Sequence, residues 1–460
     1  RIYITKQYQE EEDTASMIAR KLYERIPVLT IEKELEEAQK DLNITLSEQQ
    51  KEAVRMVFAN PISIITGGPG TGKTTVLKVI LYIYQKKCGN KVQLMAPTGR
   101  AARRMAESTG SGDATTMHMA LGLFGDGDYE ALIDELSADF INVDEVSMVD
   151  MHLAYEFFYK VKAGARVLLV GDVHQLPSVG AGDVFRQLIL CGKIPVTVLN
   201  LVYRQGKDSN IPINAQLINE GKTNLQWGDD FQMIECSGAD AAAQIVKNIY
   251  LKEIQVYGME QVQILSPYKV RSAAGVLELN RSLQDDVNPP VSGKQELHLG
   301  GEIFREGDRI LQNKNTEVAS NGDLGTLVQI SEDEDNNPIV QIVFTDGRRV
   351  KYEAEQVEMM EHANAITIHK SQGSECQVVI IPWLKAFYPM LKRNIFYTGI
   401  TRAKLRVYIV GEWKAVCQAI HTDDTGTRKT MLAAKIQQYC ERYQPQSNRQ
   451  IPTTICNRAV

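Results

Sequence analysis

The chain has 460 residues, of which 43% are hydrophobic, enough to form two or three domains with separate cores. Its 51 basic and 57 acidic residues leave a net charge of −6, which excludes a global basic field that would recruit nucleic acid. Any binding to a phosphate backbone must therefore depend on local clusters and backbone amides.

The sequence shows no targeting signal, and together with the cysteine usage this favours a cytoplasmic protein. No apolar run approaches the roughly 20 residues that span a bilayer, and no secretory signal opens the chain. The seven cysteines are scattered without a Cys-x-x-Cys pair, which is typical of reduced thiols rather than zinc ligands. The first residue is an arginine, so we expect a piece of a longer protein.

The N-terminal segment predicts a helical lead-in over residues 1–45. Residues 10–43 are highly charged, and their apolar residues recur at helical spacing, at Met17, Ile18, Leu22 and Ile26. The spacing predicts helix across this whole stretch.

The next segment, residues 46–205, alternates short apolar runs with amphipathic stretches. This pattern is typical of a parallel sheet covered by helices on both faces, and it predicts a first α/β domain. The apolar runs fall at 62–65, 92–95, 140–143, 167–170 and 196–199.

A second series of apolar runs predicts a second α/β domain, made of residues 206–285 and 361–423. Its runs fall at 262–265, 378–381 and 407–410. The tail, residues 424–460, contains a helical run at 436–443 and has no assigned role.

Residues 286–360 have a different sequence pattern, in which apolar residues alternate with polar ones at a period of two. Turn signals at Asn321-Gly322 and Asp346-Gly347 interrupt the alternation. The segment therefore predicts a small antiparallel β module inserted in the second domain.

A phosphate-binding loop begins at Gly67, with the pattern Gly67-x4-Gly72-Lys73-Thr74 between an apolar run and a helical stretch. Backbone N–H groups of such a loop close on phosphate oxygens, and the following helix N-terminus adds favourable partial charge. We expect Lys73 to neutralise phosphate charge and the Thr74 hydroxyl to ligate Mg²⁺. The predicted nucleotide-binding residues of the loop are Gly68, Pro69, Gly70, Thr71, Gly72, Lys73, Thr74 and Thr75.

Two acidic residues end the apolar run at 140–143. Because a strand end opposite a phosphate loop is where Mg²⁺ must be held, we assign Asp144 to the metal and Glu145 to activation of a water molecule. Asn142 is unusual in such a run and needs a hydrogen-bond partner if it is buried. The adjacent carboxylates of Asp144 and Glu145 indicate hydrolysis by water rather than phosphoryl transfer to a bulky acceptor.

An ordered series of motifs over residues 46–412 resembles the superfamily 1 helicases, specifically the RecD-like group, which is also similar to conjugation helicases. The motifs are Leu46-x3-Gln50-x2-Ala53, Ala96-Pro-Thr98-Gly-Arg100, Thr115-Thr-Met-His118, Asp144-Glu145-Val-Ser-Met, Gly171-Asp172-Val-His-Gln175-Leu-Pro177, Tyr203-Arg204-Gln205, Thr367-Ile-His369-Lys-Ser-Gln372-Gly373-Ser-Glu375 and Tyr397-Thr-Gly-Ile-Thr401-Arg402. Asn313 to Gly325 also looks like the small β-barrel insertion of that group.

The resemblance implies an α/β fold of two RecA-like domains, with ATP and Mg²⁺ in the cleft between them and a small antiparallel β-barrel inserted in the second. It also implies roles for residues outside the phosphate loop. These are Gln50 at the adenine, Gln175 at the γ-phosphate or water, Arg204 and Arg402 at the γ-phosphate from the second domain, and Gly373 and Glu375 near the γ-phosphate and ribose.

The resemblance further implies a groove for single-stranded nucleic acid across both domains. The residues assigned to it are Thr98, Arg100, Thr115, His118, Thr367 and His369. Arg100 forms a basic cluster with Arg103 and Arg104, which either contacts phosphate or is a solvated helix face. Residues 122–139 lie where RecD-like enzymes carry a strand-separating pin, but the segment is acidic, so a plain surface loop is an equal alternative.

These features predict an ATP-dependent DNA helicase that moves 5′ to 3′ on single-stranded DNA, acts at duplex junctions and serves repair or recombination. The polarity and pathway follow from the resemblance alone. Two alternatives stay open: an RNA helicase of the same superfamily, and a translocase or partner-binding subunit of a larger complex.

Overall fold

The computed structural model describes residues 4–89, 91–112, 114–123, 133–200, 209–316, 318–335, 337–424 and 426–443. The α-helices in these ranges are α1 Thr5–Leu22, α2 Glu32–Asp41, α3 Glu48–Ala59, α4 Lys73–Cys88, α5 Gly99–Thr109, α6 Met117–Ala120, α7 Met151–Lys160, α8 Val184–Leu190, α9 Asn210–Asn219, α10 Ala239–Tyr257, α11 Val276–Val287, α12 Arg393–Ile400, α13 Trp413–His421 and α14 Leu432–Tyr443. Within those ranges, no helix is both long enough and apolar enough to cross a bilayer.

The strands divide among four sheets. They are β1 Ile62–Gly67, β2 Val92–Ala96, β3 Ala114–Thr116, β4 Phe140–Val143, β5 Arg166–Gly171, β6 Val196–Leu199, β7 Phe231–Glu235, β8 Val262–Ser266, β9 Glu296–Leu299, β10 Glu302–Arg305, β11 Arg309–Gln312, β12 Leu324–Glu332, β13 Pro338–Phe344, β14 Arg349–Glu353, β15 Met360–His362, β16 Ala365–Thr367, β17 Cys376–Trp383 and β18 Ala403–Gly411.

The first parallel sheet has six strands in the order β3-β2-β4-β5-β1-β6. All five predicted apolar runs of this domain are strands in it, and β1, β4 and β5 are buried along their whole length because helices cover both faces. The edge strand β3 was not predicted, since Ala114–Thr116 is only three residues long.

The second parallel sheet has five strands in the order β16-β8-β17-β18-β7. The three predicted runs form the central strands β8, β17 and β18, and the two edge strands β16 and β7 were not predicted. Parallel pairing throughout both sheets confirms the predicted α/β class.

The inserted module is an antiparallel sheet of five strands, in the order β14-β13-β12-β11-β15, beside the hairpin β9-β10. We refer to this sheet as the barrel. Asp346-Gly347 forms the turn between β13 and β14, where Gly347 adopts a φ of 85°. Because β15 ends at His362, the barrel sheet extends two residues beyond the predicted limit at 360. The other predicted domain limits stay predictions.

The predicted helical lead-in contains two separate helices. Helix α1 ends at Leu22 and α2 begins at Glu32. Pro27 lies between them and cannot donate a backbone hydrogen bond to continue a helix. Its carbonyl instead accepts a hydrogen bond from the buried guanidinium of Arg166 on β5.

The last helix, α14, returns to the first domain and packs against α1. Leu432, Ile436 and Cys440 on α14 are buried in the same core as Ala15 and Ile18 on α1. Lys435 joins the two helices electrostatically through Glu11 and Glu12. Helix α14 of the tail is therefore part of the first domain's core.

Candidate nucleotide and nucleic-acid site

The phosphate loop lies between β1 and α4, as predicted. Gly70 and Gly72 have φ angles of 74° and 86°, which side-chain-bearing residues rarely adopt, and they turn the backbone around the helix N-terminus. The Lys73 ammonium donates hydrogen bonds to the carbonyls of Gly67 at 2.6 Å and Gly68 at 2.9 Å. These carbonyls hold the cation at the mouth of the loop. The half-buried Thr74 and Thr75 lie in the first turn of α4.

The carboxylates predicted to serve Mg²⁺ and water follow β4 directly. Burial, reinforced by the neighbouring Glu145 charge, raises the pKa of Asp144 from its ordinary 3.8 to about 6. A carboxylate in this situation favours a nearby cation, so the residue fits a Mg²⁺ ligand. Glu145 has a φ of 52°, a left-handed conformation that is costly for a residue with a side chain and is frequent at functional sites.

The buried Asn142 on β4 has one partner of the two that its side chain needs. Its amide nitrogen donates to the Met105 sulfur at 3.2 Å, whereas no described residue donates to its oxygen. The predicted requirement for a partner is thus half met.

Gln50, assigned to the adenine, lies on α3 next to the phosphate loop. Its side-chain oxygen accepts from the Ser47 N–H at 3.0 Å, forming a capping box at the helix start, and its amide nitrogen donates to the Thr71 carbonyl at 3.2 Å. The residue is therefore oriented by the helix cap and attached to the loop. Its contact with adenine stays a prediction.

Gln175 and its neighbour Asp172 connect the loop after β5 to the second domain. The Tyr397 hydroxyl on α12 donates to Asp172 Oδ2 at 2.8 Å, and the Gln175 amide donates to the same oxygen at 3.3 Å. A Cβ atom added to Gly68 would lie 3.2 Å from the Tyr397 hydroxyl, so this ring borders the phosphate loop. Burial, then the Asp172 charge, raises the pKa of Tyr397, which keeps the hydroxyl protonated as a donor.

Two further hydrogen bonds join the first domain to the second beside Asp172 and Gln175. The Leu176 N–H donates to the Thr398 hydroxyl at 2.9 Å, and the Gln372 amide donates to the Leu176 carbonyl at 3.0 Å. The Gln175 Oε1 atom is buried and accepts no hydrogen bond from the described residues, which leaves an acceptor beside Asp172.

Arg402 is buried at the end of α12, where its guanidinium donates to the carbonyls of Thr398 at 3.2 Å and Ser374 at 3.3 Å. Its positive charge acts on the nearby Tyr397 hydroxyl. These partners all belong to the second domain. Tyr397 is the one among them that also borders the phosphate loop, and the contact of Arg402 with nucleotide stays a prediction. The second predicted arginine, Arg204, lies outside the described residues.

Two arginines of the cluster on α5, Arg103 and Arg104, form ion pairs with carboxylates from distant parts of the chain. Arg103 forms ion pairs with Asp323 and with Asp346, the latter at 3.0 Å, and both acids belong to loops of the barrel. Arg104 pairs with Glu375 of the second domain. The alternative of a freely solvated helix face is therefore wrong for these two residues, because long-range carboxylates engage them. Their contact with phosphate stays a prediction.

The residues predicted near the γ-phosphate and ribose contact α5. A Cβ atom on Gly373 would lie 3.2 Å from Ala101 and 3.4 Å from the Thr98 hydroxyl oxygen. Burial lowers the pKa of Arg104, but the charges of Glu375, then Glu145, then Asp144 outweigh this effect and the pKa is raised. Arg104 therefore interacts electrostatically both with Glu375 and with the metal-side carboxylates of Asp144 and Glu145. Its contact with nucleotide stays a prediction.

Three of the residues near the predicted nucleic-acid groove line one cavity of about 310 Å³. Thr98 comes from the start of α5, His118 from α6 and Gln372 from the second domain, and Val179 and Asp150 are among the other residues that line it. Thr98 also caps α5 by accepting from the Ala101 N–H at 3.3 Å. The cavity therefore spans both domains.

The other predicted nucleic-acid residues are placed separately. Thr115 lies on β3, and its buried hydroxyl has no partner among the described residues. The Thr367 hydroxyl accepts from the Lys370 N–H at 3.2 Å and so caps the turn that contains His369, whose pKa is lowered by burial. One guanidinium nitrogen of Arg100 is also buried without a described partner. Of the predicted pin, residues 124–132 lie outside the described residues.

The roles of Asp172, Gln372 and Tyr397 were missed, although each lies within a motif identified in the sequence. The motifs mark these residues as candidates for the site. Spacing along the chain, however, cannot show that a tyrosine from one domain contacts an aspartate from the other. The contact needs the fold to be known.

Three family models match the chain. An AAA domain matches residues 45–239, an ATP-dependent RecD-like DNA helicase SH3 domain matches 279–344, and a UvrD-like helicase C-terminal domain matches 362–410. The AAA match contains the phosphate loop, and the SH3 match overlaps the barrel.

Among curated proteins, the ATP-dependent RecD2 DNA helicase of Deinococcus radiodurans is 33% identical over 372 residues, covering 80% of this chain and 50% of that protein. The RecBCD enzyme subunit RecD of Mycolicibacterium smegmatis is 28% identical, with 85% of this chain and 76% of that protein covered. This chain thus spans half the length of the Deinococcus relative.

Solved structures of similar fold include Pif1 helicase from Candida albicans, with a TM-score of 0.50 and 18% identity over 80% of this chain and 94% of that one. Bacteroides Pif1 bound to single-stranded DNA has a TM-score of 0.50 and 19% identity over 80% and 92%. At this identity the likeness concerns the fold.

The fold and site define a P-loop nucleotide-binding protein with two RecA-like domains. The family models and relatives then confirm the resemblance found in the sequence: the chain has the domain series of the RecD-like group of superfamily 1 helicases.

Proposed function

We propose that this chain is the motor of an ATP-dependent DNA helicase that moves 5′ to 3′ along single-stranded DNA. The observation that carries the proposal is the hydrogen bond from Tyr397 to Asp172 beside Gly68, because it joins the second domain to the phosphate-loop side of the first. A motor needs its nucleotide site divided between bodies that can separate.

In this proposal Lys73 leaves the Gly67 and Gly68 carbonyls and pairs with nucleotide phosphates. Thr74 and Asp144 would hold Mg²⁺, which neutralises phosphate charge when bound. Glu145 accepts the proton of the attacking water, and Gln175 supplies its free oxygen to orient that water.

Arg402, with Arg204, would stabilise the charge that spreads over the transferred phosphoryl group. Because Arg402 reaches the site only with its domain, hydrolysis would depend on domain closure. Closure and opening would then move the DNA strand through the groove lined by Thr98, His118 and Gln372.

The DNA substrate rests on the resemblance and on the relative named as an ATP-dependent RecD2 DNA helicase. The polarity and a role in repair or recombination rest on the resemblance. Relatives named as RecBCD subunits also support a second form of the proposal, in which the motor works inside a larger complex. Both forms require the same ATP site.

The test compares ATP hydrolysis with DNA and RNA oligonucleotides, and strand displacement on duplexes with 5′ or 3′ overhangs. We expect stimulation by single-stranded DNA and displacement from 5′ overhangs, both abolished in Lys73→Ala. Stronger stimulation by RNA would favour the RNA helicase alternative. Hydrolysis unaffected by Lys73→Ala would refute the assignment of the site.

A further inference from the structure

Arg428 lies on a segment that no part of the proposed mechanism uses, yet it makes a dense set of hydrogen bonds. Its guanidinium donates to the carbonyls of Ser178 at 2.6 Å, Gly180 at 2.9 Å and Gly182 at 2.6 Å, and to the Ser178 hydroxyl at 3.4 Å. All these acceptors belong to the loop of residues 178–182, about 250 residues away in the chain.

Loop 178–182 connects the two halves of the site. It begins two residues after Leu176, which is bonded to both Thr398 and Gln372 of the second domain. Ser178, Val179 and Gly180 line the groove cavity together with Thr98 and His118. The Val179 side chain is 89% exposed at the tip, so the loop presents an apolar contact to whatever occupies the groove.

The loop also packs on the start of α7. A Cβ atom on Gly180 would collide with Asp150, and the Ala181 carbonyl accepts from the Met151 N–H at 2.9 Å. The loop is therefore held between α7 on one side and Arg428 on the other. The contact with α7 is made within the first domain, whereas the contact with Arg428 is made by a residue of the tail.

The segment that carries Arg428, residues 426–431, is fixed at both ends; we refer to it as the return segment. Just before it, Asp423 and Asp424 form ion pairs at 2.9 and 2.8 Å with Arg393 and Lys392, at the start of α12. At its other end Thr430 donates to Glu11 on α1 at 2.7 Å. The return segment thus connects two places. It starts beside α12, the helix that precedes Arg402, and ends on α1 of the first domain.

We infer that Arg428 is a positioning residue, which holds loop 178–182 in the shape that binds single-stranded DNA. This inference rests on the proposed function. A guanidinium has five N–H groups in a planar fork and can serve three converging carbonyls at once, whereas a lysine ammonium is a compact charge that cannot span them.

The experiment compares Arg428→Ala and Arg428→Lys with Lys429→Ala, a matched control because Lys429 is the exposed neighbour. ATP hydrolysis is measured against the concentration of a single-stranded oligonucleotide. Hydrogen exchange of peptides covering 176–183 and 432–443 is measured on the same proteins without nucleotide or DNA.

In Arg428→Ala we expect the DNA concentration at half-maximal stimulation to rise about tenfold, in line with the loss of hydrogen bonds to a charged group, with a smaller change in turnover at saturating DNA. Exchange should rise in 176–183 and stay at the wild-type level in 432–443. Arg428→Lys should recover part of the DNA affinity, and Lys429→Ala should match the wild type.

Two results would overturn the inference. One is wild-type exchange in 176–183 with an unchanged DNA dependence. The other is equal loosening of 432–443, which would make Arg428 an anchor of α14 instead. If wild-type hydrolysis does not respond to DNA, the proposed function fails while the exchange experiment still decides whether Arg428 holds the loop.

Discussion

At the scale of single residues, the site keeps two costly features side by side. Asp144 is a buried carboxyl whose pKa is raised to about 6, and Glu145 has a left-handed backbone that costs on the order of 1–2 kcal/mol. Neither feature helps the protein fold. Both are explained if a bound cation and a water molecule need carboxylates at these points.

Asp144→Asn should stabilise the protein in the absence of nucleotide and Mg²⁺. Because the folded state raises this pKa, it binds the proton more tightly than the unfolded chain, and ionisation costs stability as the pH rises through 4 to 6. The full cost is present above that range. We expect the variant to gain about 1–3 kcal/mol in free energy of unfolding at pH 7.5 and about half of that at pH 5.

Urea unfolding at the two pH values measures the gain, and the exposed Glu334→Gln serves as the control that should change nothing. ATP hydrolysis by Asp144→Asn should be lost despite the added stability. A variant that is less stable than the wild type at pH 7.5 would show that Asp144 is already compensated in the folded protein.

Arg402→Ala should leave nucleotide binding largely intact and reduce DNA-stimulated hydrolysis by about 10³-fold, because an arginine fork at the γ-phosphate acts in the transition state. Arg402→Lys should remain slow, since an ammonium cannot reproduce the fork. Fluorescent nucleotide titration and turnover at saturating DNA measure the two effects. Turnover close to that of the wild type would remove Arg402 from the site.

At the scale of elements, α5 is the place where three parts of the molecule meet. Its Arg103 pairs with Asp346 in the barrel, its Arg104 pairs with Glu375 in the second domain, and its first residues border the groove cavity. A helix in this position would transmit movement of either body to the groove in the proposed motor.

A double-mutant cycle on Arg103 and Asp346 should give a coupling energy of about 0.5–2 kcal/mol, because both side chains are mostly buried at the contact. Free energies of unfolding in urea for the two alanine variants and the double variant provide the measurement. The exposed pair Lys351–Glu353 is the matched control, with an expected coupling below about 0.5 kcal/mol. Equal couplings in the two cycles would mean that the barrel is not held by this pair.

The sequence predicted the elements whose signals are local. The apolar runs are the central strands, and the phosphate loop lies where its pattern and flanking elements require. The edge strands β3 and β16 were missed because three residues carry too little periodicity. The partners of Arg103 and Arg104 were missed because no local signal connects a helix to acids more than 200 residues away.

At the scale of the whole molecule, the chain's described ends share one core, in which α14 packs on α1. Ile436 is fully buried there. Ile436→Ala should lower the free energy of unfolding by about 2–4 kcal/mol through lost burial and the cavity left behind. Gln438→Ala on the exposed face of the same helix should change it by less than about 0.5 kcal/mol.

Chemical denaturation followed by far-ultraviolet circular dichroism measures both variants. A tail that merely rests on the surface would give a small effect at both positions. The large effect at Ile436 alone is expected because the helix is part of the core, and truncation before Leu432 should then destabilise the first domain as a whole.

The return of the chain to its starting domain limits how the second domain can move. The second domain is covalently attached to the first at two points, between Asn200 and Ser209 and again through the return segment. A body held by one tether can swivel in any direction, whereas a body held by two rotates about the line that joins them. Two attachments allow fewer relative orientations of the domains than one would, which favours a repeated path between open and closed arrangements in the proposed ATP cycle.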